Sequence, residues 1–190
     1  MTEPWLVIGL GNPGAEYERT RHNIGAMCAG VLADRVNSAF SRHKRANADV
    51  VECRLNGQRV ILAKPRTYMN TSGGPVKALA DFYKVPLEHL VVIHDELDLP
   101  FAHQRYKFGG GDNGHNGLKS VRASMSSGDF LRVRLGVGRP PGRQDPADFV
   151  LRPFSSVERA DLGTFLARAA DAIEMLVAEG LESTQNRYND

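Results

Sequence analysis

Two short runs in this 190-residue chain, Trp5 to Leu10 (WLVIGL) and Leu90 to Ile93 (LVVI), carry no polar side chain. A strand with one wet face alternates polar and apolar residues, whereas an uninterrupted apolar run belongs to a strand buried on both faces. Strands of that kind need helices on each side of the sheet, and the rest of the chain provides them. From Asn23 to Asn37 the residues Ile24, Met27, Cys28, Val31, Leu32 and Val36 fall at helical spacing. Val50–Leu55 and Arg59–Ala63 flank Asn56-Gly57, a two-residue hairpin signal. Leu131–Val137 alternates like a further strand, and helices are expected at about 75–84, 116–125 and 156–179. The last of these has a capping box in Ser155 and Glu158 and a stop at Gly180. No internal repeat interrupts the pattern. The expected fold is a single α/β domain over residues 1–190, a twisted mixed and mostly parallel sheet flanked by helices.

Hydrophobic residues at 42% and charged residues at 24% suit an ordinary globular protein, and no run of about 20 apolar residues offers a membrane span. The opening Met1-Thr2-Glu3-Pro4 lacks the basic region of a secretory signal. Cys28 and Cys53 have no CxxC spacing and are expected reduced and buried, as suits the cytoplasm. The net charge of +2 conceals an asymmetry: residues 101–152 carry nine basic and four acidic side chains, residues 153–190 three and seven. Arg105, Lys107, Lys119, Arg122, Arg132, Arg134, Arg139 and Arg143 therefore form either a phosphate-binding face or a solvated mixed surface.

The basic segment contains the run Phe108-Gly109-Gly110-Gly111-Asp112-Asn113-Gly114-His115-Asn116-Gly117. Such a run is a flexible surface loop, or a backbone that must lie against something large and deliver His115 and Asn116 to it. Three other polar clusters also stand at the ends of apolar segments: Gly9–Gly14, Arg19–Asn23 and His94–Asp98. Gly9-x-Gly11-x-x-Gly14 matches the dinucleotide fingerprint formally, but Pro13 lies in the turn and the helix starts only near His22. His22 opens a helix among polar residues, and Asp95 follows an interior strand at the edge where open α/β sheets bind ligands. An aspartate there can hold a histidine tautomer and leave the other ring nitrogen free as a base. Glu96 and Asp98 read as exposed turn or cap groups. No Gly-x-Ser-x-Gly elbow and no polar-loop cysteine supports a covalent nucleophile, so activated water is the simpler chemistry. The rivals are a nucleotide-dependent oxidoreductase, a non-catalytic RNA-binding protein, and a metal hydrolase using His94, Asp95 and His115.

Taken together, five motifs in register resemble bacterial peptidyl-tRNA hydrolase: the Gly9–Gly14 loop with Tyr17, Thr20–Gly25, Lys64–Gly73, His94–Leu99 and Gly109–Lys119, with further matches at Phe130–Pro140 and Phe149–Leu151. The resemblance implies hydrolysis of the ester between a peptide and the 3′-terminal ribose of tRNA. It assigns His22 as general base, Asp95 as its orienting partner, and Asn12 and Asn116 as amides that position the ester and stabilise developing charge. Which of the two faces the oxyanion stays open. Met69 and Asn70 would line the peptide cleft with His115 beside it and Tyr17 at its flank, and glycines 109–111 and 114 would form a pliable wall. Lys107 and Arg134 would clamp the 5′-terminal phosphate of the tRNA, with Arg105 at a neighbouring basic position. Asp112-Asn113 and Arg105 depart from the family pattern. The resemblance further implies a cytoplasmic, cofactor-free and metal-free enzyme whose partner is peptidyl-tRNA, acting as a monomer without DNA or membrane; the sequence itself is silent on oligomeric state.

Overall fold

In a computed structural model, which describes residues 3–190, the two apolar runs are hydrogen-bonded neighbours at the centre of the sheet. The chain runs β1 (Trp5–Gly9), α1 (Ile24–Arg35), β2 (Ser41–Arg42), β3 (Ala48–Leu55), β4 (Gln58–Pro65), α2 (Gly73–Tyr83), β5 (Leu90–Glu96), β6 (Gln104–Phe108), α3 (Asn116–Met125), β7 (Leu131–Gly136), α4 (Pro146–Val150), α5 (Ser156–Glu179) and α6 (Leu181–Tyr188). The sheet order is β2-β3-β4-β1-β5-β7-β6. Its centre, β4-β1-β5-β7, is parallel, while β2-β3, β3-β4 and β6-β7 pair antiparallel toward the edges. The expected mixed α/β architecture is thus observed. Among the described residues no helix is long and apolar enough to cross a membrane.

Both faces of the central strands are covered, as their composition demands. Val7, Val91 and Ile93 belong to one core with α1 and α5, whereas Leu6, Ile8, Leu90 and Val92 belong to a second core with α2 and α3. Each such side chain, taken fully from water, contributes about 1.5–3 kcal/mol. The connection from β1 goes through α1 on one face toward β2, β3 and β4 on one side, and that from β5 goes through β6 and α3 on the other face to β7 on the opposite side. The connections therefore diverge between β1 and β5, opening a crevice beyond their carboxyl ends. Close packing at that point requires glycines: a Cβ on Gly9 would collide with the carbonyl of Gly25, and one on Gly25 with the carbonyl of Ile93. This contact, strand against helix, accounts for the glycine at the head of the dinucleotide-like motif. Moreover, α1 begins ten residues after Gly14, and its Ala26 N–H is taken by the Leu10 carbonyl. The start of α1 is thus tied to the end of β1 instead of opening within that loop, where a pyrophosphate site would need it.

Four elements depart from the sequence expectation. The segment β6 is polar (QRYKF) and carries no strand signature, yet it closes the sheet edge. Its outward backbone groups are satisfied by the chain's last residues: Asn189 Oδ1 accepts from Tyr106 N–H at 2.6 Å, Asp190 Oδ2 from Gln104 N–H at 3.0 Å, and Gln185 Nε2 donates to the Tyr106 carbonyl at 2.9 Å. The helix after Gly180, α6, delivers those groups and was not expected. The short α4, begun by Asp145 and Pro146, has no counterpart among the expected helices. Finally, β7 is buried along almost its whole length instead of alternating, because the glycine loop absorbs Arg132 and Glu96 at the end of β5 takes Arg134.

Candidate active site

A cleft of about 390 Å³ lies beyond the carboxyl ends of β1 and β5, and its walls include Asn12, His22, Met69, Asn70, Asp95, His115 and Asn116. They arrive from five different segments. Asn12 follows β1; His22 sits in a 3-10 turn (Arg21–Asn23) entering α1; Met69 and Asn70 lie in a second such turn before α2. Asp95 comes from β5, and His115 and Asn116 from the start of α3. Residues as far apart in sequence as Asn12 and Asn116 thus meet in one cavity.

The chemistry centres on Asp95, which is buried. Nδ1 of His22 donates to its Oδ2 at 2.8 Å, and Nε2 of His115 donates to its Oδ1 at 2.7 Å. The donor assignment at His115 is fixed from behind. Its Nδ1 caps α3, accepting from Gly117 N–H at 3.1 Å and Leu118 N–H at 3.2 Å, so the proton resides on Nε2. Burial works to raise the Asp95 carboxyl, but the two imidazoles outweigh it and hold the group well below the usual carboxylate range. At His22, burial works against the charged ring, yet the Asp95 charge and hydrogen bond prevail and raise it above the ordinary 6.5. An ionised Asp95 engaging Nδ1 leaves Nε2 of His22 as the basic nitrogen. His94 faces the same cleft but plays no such part: burial, reinforced by the neighbouring His115, pushes it down to about 3, and its Nδ1 donates to the Asp95 carbonyl at 2.8 Å.

Asn12 is equally determined. Its backbone N–H donates to Asn23 Oδ1 and its carbonyl accepts from Asn23 Nδ2, both at 2.9 Å. Its side-chain Oδ1 accepts from Met69 N–H at 2.7 Å. With the oxygen occupied, Asn12 offers the cleft its amide donors, which is what a developing oxyanion requires. Asn116 is exposed on the first turn of α3, where the helix's positive end adds to its amide. His22, Asp95 and His115 are also the one group among the described residues with three candidate metal-ligand atoms mutually within 4.8 Å.

Other expected site residues fall elsewhere. Tyr17 is outside the cleft wall, edge-on to the exposed Tyr68 with ring centroids 6.2 Å apart. Lys107 and Arg134 line an adjoining cleft of about 340 Å³ together with Arg132. Burial, then the neighbouring Arg134 and Arg132, holds Lys107 below the ordinary lysine range, and these three cations outnumber the carboxylates of Glu96 and Asp98 on the same walls. Arg105 is absent from it; its guanidinium donates to the backbone oxygen of Asp190 at 2.6 Å. Glu96, read as exposed, is buried at the end of β5 and pairs with Arg134 at 3.0 Å, whereas Asp98 is exposed as expected. The glycine loop is not a slack wall. Buried Arg132 donates to the carbonyls of Gly110, Gly111 and Gly128, and the positive φ of Gly109 and Gly110 turns that backbone inward.

Asn23 and Arg21 carry no role of their own in the sequence reading, and Arg132, grouped there with a phosphate-binding or solvated face, is buried. Asn23 braces Asn12, and Arg132 braces the loop that carries His115. Arg21, next to His22, stacks on Phe149 at 3.9 Å and pairs with Glu158 at 2.7 Å, fastening the His22 turn to the α4 wall. The sequence-level signal for each was a polar residue inside or beside an apolar element, which identifies an oddity without naming its partner.

The sequence profile described as peptidyl-tRNA hydrolase matches residues 6–190. The peptidyl-tRNA hydrolase of Nocardia farcinica is 56% identical over 188 residues, covering 99% of this chain and 97% of that protein. That of Streptomyces coelicolor is 59% identical over 191 residues, covering 98% and 95%. The crystal structure of peptidyl-tRNA hydrolase from Acinetobacter baumannii superposes with a TM-score of 0.91 at 32% identity, covering 100% of this chain and 97% of that one. With profile, relatives and architecture matching across nearly its full length, the chain belongs to the peptidyl-tRNA hydrolase family.

Proposed function

We infer that this protein hydrolyses the ester joining a peptide to the 3′-terminal ribose of tRNA, with water made nucleophilic by His22. Membership of the family carries the activity and the substrate. The observation that carries the mechanism is the double use of Asp95: His115 takes one oxygen and His22 Nδ1 the other, so His22 keeps Nε2 free toward the cleft. In the first step Nε2 takes a proton from water as its oxygen bonds to the ester carbonyl carbon. Negative charge develops on the carbonyl oxygen, and the Asn12 amide, held by Met69 and Asn23, donates to it. Asn116 positions the ester from the opposite wall. As the tetrahedral centre collapses, the bond to the ribose 3′ oxygen breaks and that oxygen recovers the proton from the His22 imidazolium. The products are a peptide carboxylate and a free tRNA end. Met69, Asn70 and the His115 flank receive the peptide, and Lys107 and Arg134 hold the 5′-terminal phosphate, which positions the tRNA without reading its sequence.

The reading includes action in the cytoplasm as a monomer with no metal or cofactor. Its test is hydrolysis of an N-acylaminoacyl-tRNA by the purified protein and by His22→Ala. The variant should lose turnover by at least about a hundredfold, the contribution of a positioned base, while its melting temperature stays near wild type. A variant that retains near-wild-type turnover refutes the role of His22.

A further inference from the structure

Glu96 stands one position beyond Asp95 on β5, is buried, and borders both the ester cleft and the cationic cleft. Its two carboxylate oxygens serve different masters. Oε1 accepts from Nε of Arg134 at 3.0 Å. Oε2 accepts from Nδ2 of Asn113 at 3.2 Å and from the Asp98 N–H at 3.1 Å. Asn113 is gripped a second time by Asp98 Oδ2 at 2.7 Å and lies in the glycine loop two residues before His115, with a left-handed φ of 50°. On one side, then, Glu96 holds an arginine by its inner nitrogen, which leaves the two terminal nitrogens of the fork available to an anion. On the other side it holds the loop whose end supplies His115 and Asn116.

We infer that Glu96 is a positioning residue that fixes the phosphate-binding guanidinium and the catalytic loop against one another, so that one carboxylate aligns the tRNA's 5′ end with its ester. This rests on the reading of Lys107 and Arg134 as the phosphate grip. A long arginine side chain is mobile unless anchored, and a glycine-rich loop more so. Anchoring both to the rigid end of β5 gives them a common reference beside Asp95.

The test compares kcat and KM for an N-acylaminoacyl-tRNA bearing its 5′-phosphate and for the same substrate after phosphatase treatment, with melting curves for every protein. Arg134→Ala should abolish the preference for the phosphorylated substrate. Asn113→Ala should lower kcat on both substrates by about tenfold, the scale of one hydrogen bond to a charged group, and leave the preference intact. Glu96→Ala should show both defects at once. Glu96→Gln has one carbonyl oxygen for two arms, so it should show one defect and spare the other. A general loss of structure would instead depress both substrates together with the melting temperature. Should Glu96→Ala fail to fold, Glu96→Gln decides: retention of both the preference and kcat overturns the inference. Likewise, the inference falls if Arg134→Ala loses the preference while folded Glu96→Ala keeps it. If wild type shows no preference, the phosphate-grip reading itself is what fails, and the inference goes with it.

Discussion

Replacing Asp95 by asparagine changes two atoms' worth of chemistry, and the surroundings dictate how the new side chain must lie. Asparagine offers one acceptor and one donor where aspartate offers two acceptors. His115 cannot adapt, because its Nδ1 is committed to the Gly117 and Leu118 N–H groups and its Nε2 must donate. The carbamoyl oxygen therefore turns to His115, and the NH2 group turns to His22 Nδ1. That forces the His22 proton onto Nε2, the nitrogen that should accept from water. To react, the enzyme must restore the other tautomer against an opposing donor. The loss of a charge-assisted bond, about 2–3 kcal/mol, adds to an unsatisfied donor, about 1–3 kcal/mol. Together they amount to roughly 3–6 kcal/mol, or about a hundred- to ten-thousandfold in rate. Single-turnover hydrolysis of N-acylaminoacyl-tRNA measures it directly. The same reasoning predicts a partial rescue: in Asp95→Asn combined with His115→Ala, the amide is free to flip and present oxygen to His22, so the double variant should be faster than Asp95→Asn by about tenfold. An Asp95→Asn rate within a factor of about ten of wild type, or a double variant slower than the single, refutes the tautomer argument.

Three further outcomes follow from the same site and its supports. In the proposed mechanism the neutral form of His22 is the base, and the Asp95 charge and hydrogen bond outweigh burial to raise its pKa, so kcat/KM should fall as pH drops through a midpoint above 6.5; a wild-type midpoint at or below that value would contradict the pairing. Glu158→Ala strands the buried Arg21 guanidinium and opens the α5 capping box, so urea denaturation should show a loss of roughly 3 kcal/mol; a loss under about 1 kcal/mol would mean that the pair is idle. Excess chelator should leave hydrolysis unchanged, since the proposed base is an imidazole; loss of activity restored by a divalent ion would instead make His22, Asp95 and His115 metal ligands.

Much of this molecule was legible in the linear chain because the governing interactions are local or one-dimensional. The runs at Trp5–Leu10 and Leu90–Ile93 announce burial on both faces by composition alone, and Asn56-Gly57 and the Ser155–Glu158 box specify their turn and cap within a few residues. The motif clusters located the chemistry at strand ends. Tertiary structure alone decided who partners whom. No periodicity marks β6 as a strand, since its edge is satisfied by Asn189 and Asp190, more than 80 positions away. Glu96 and Asp98 look alike in sequence, yet one is buried against Arg134 and the other remains exposed. The proton on His115 is placed by the backbone of α3 and the carboxylate of β5 together. A hydrogen bond depends on distance and direction in space, and those are fixed only when the elements pack.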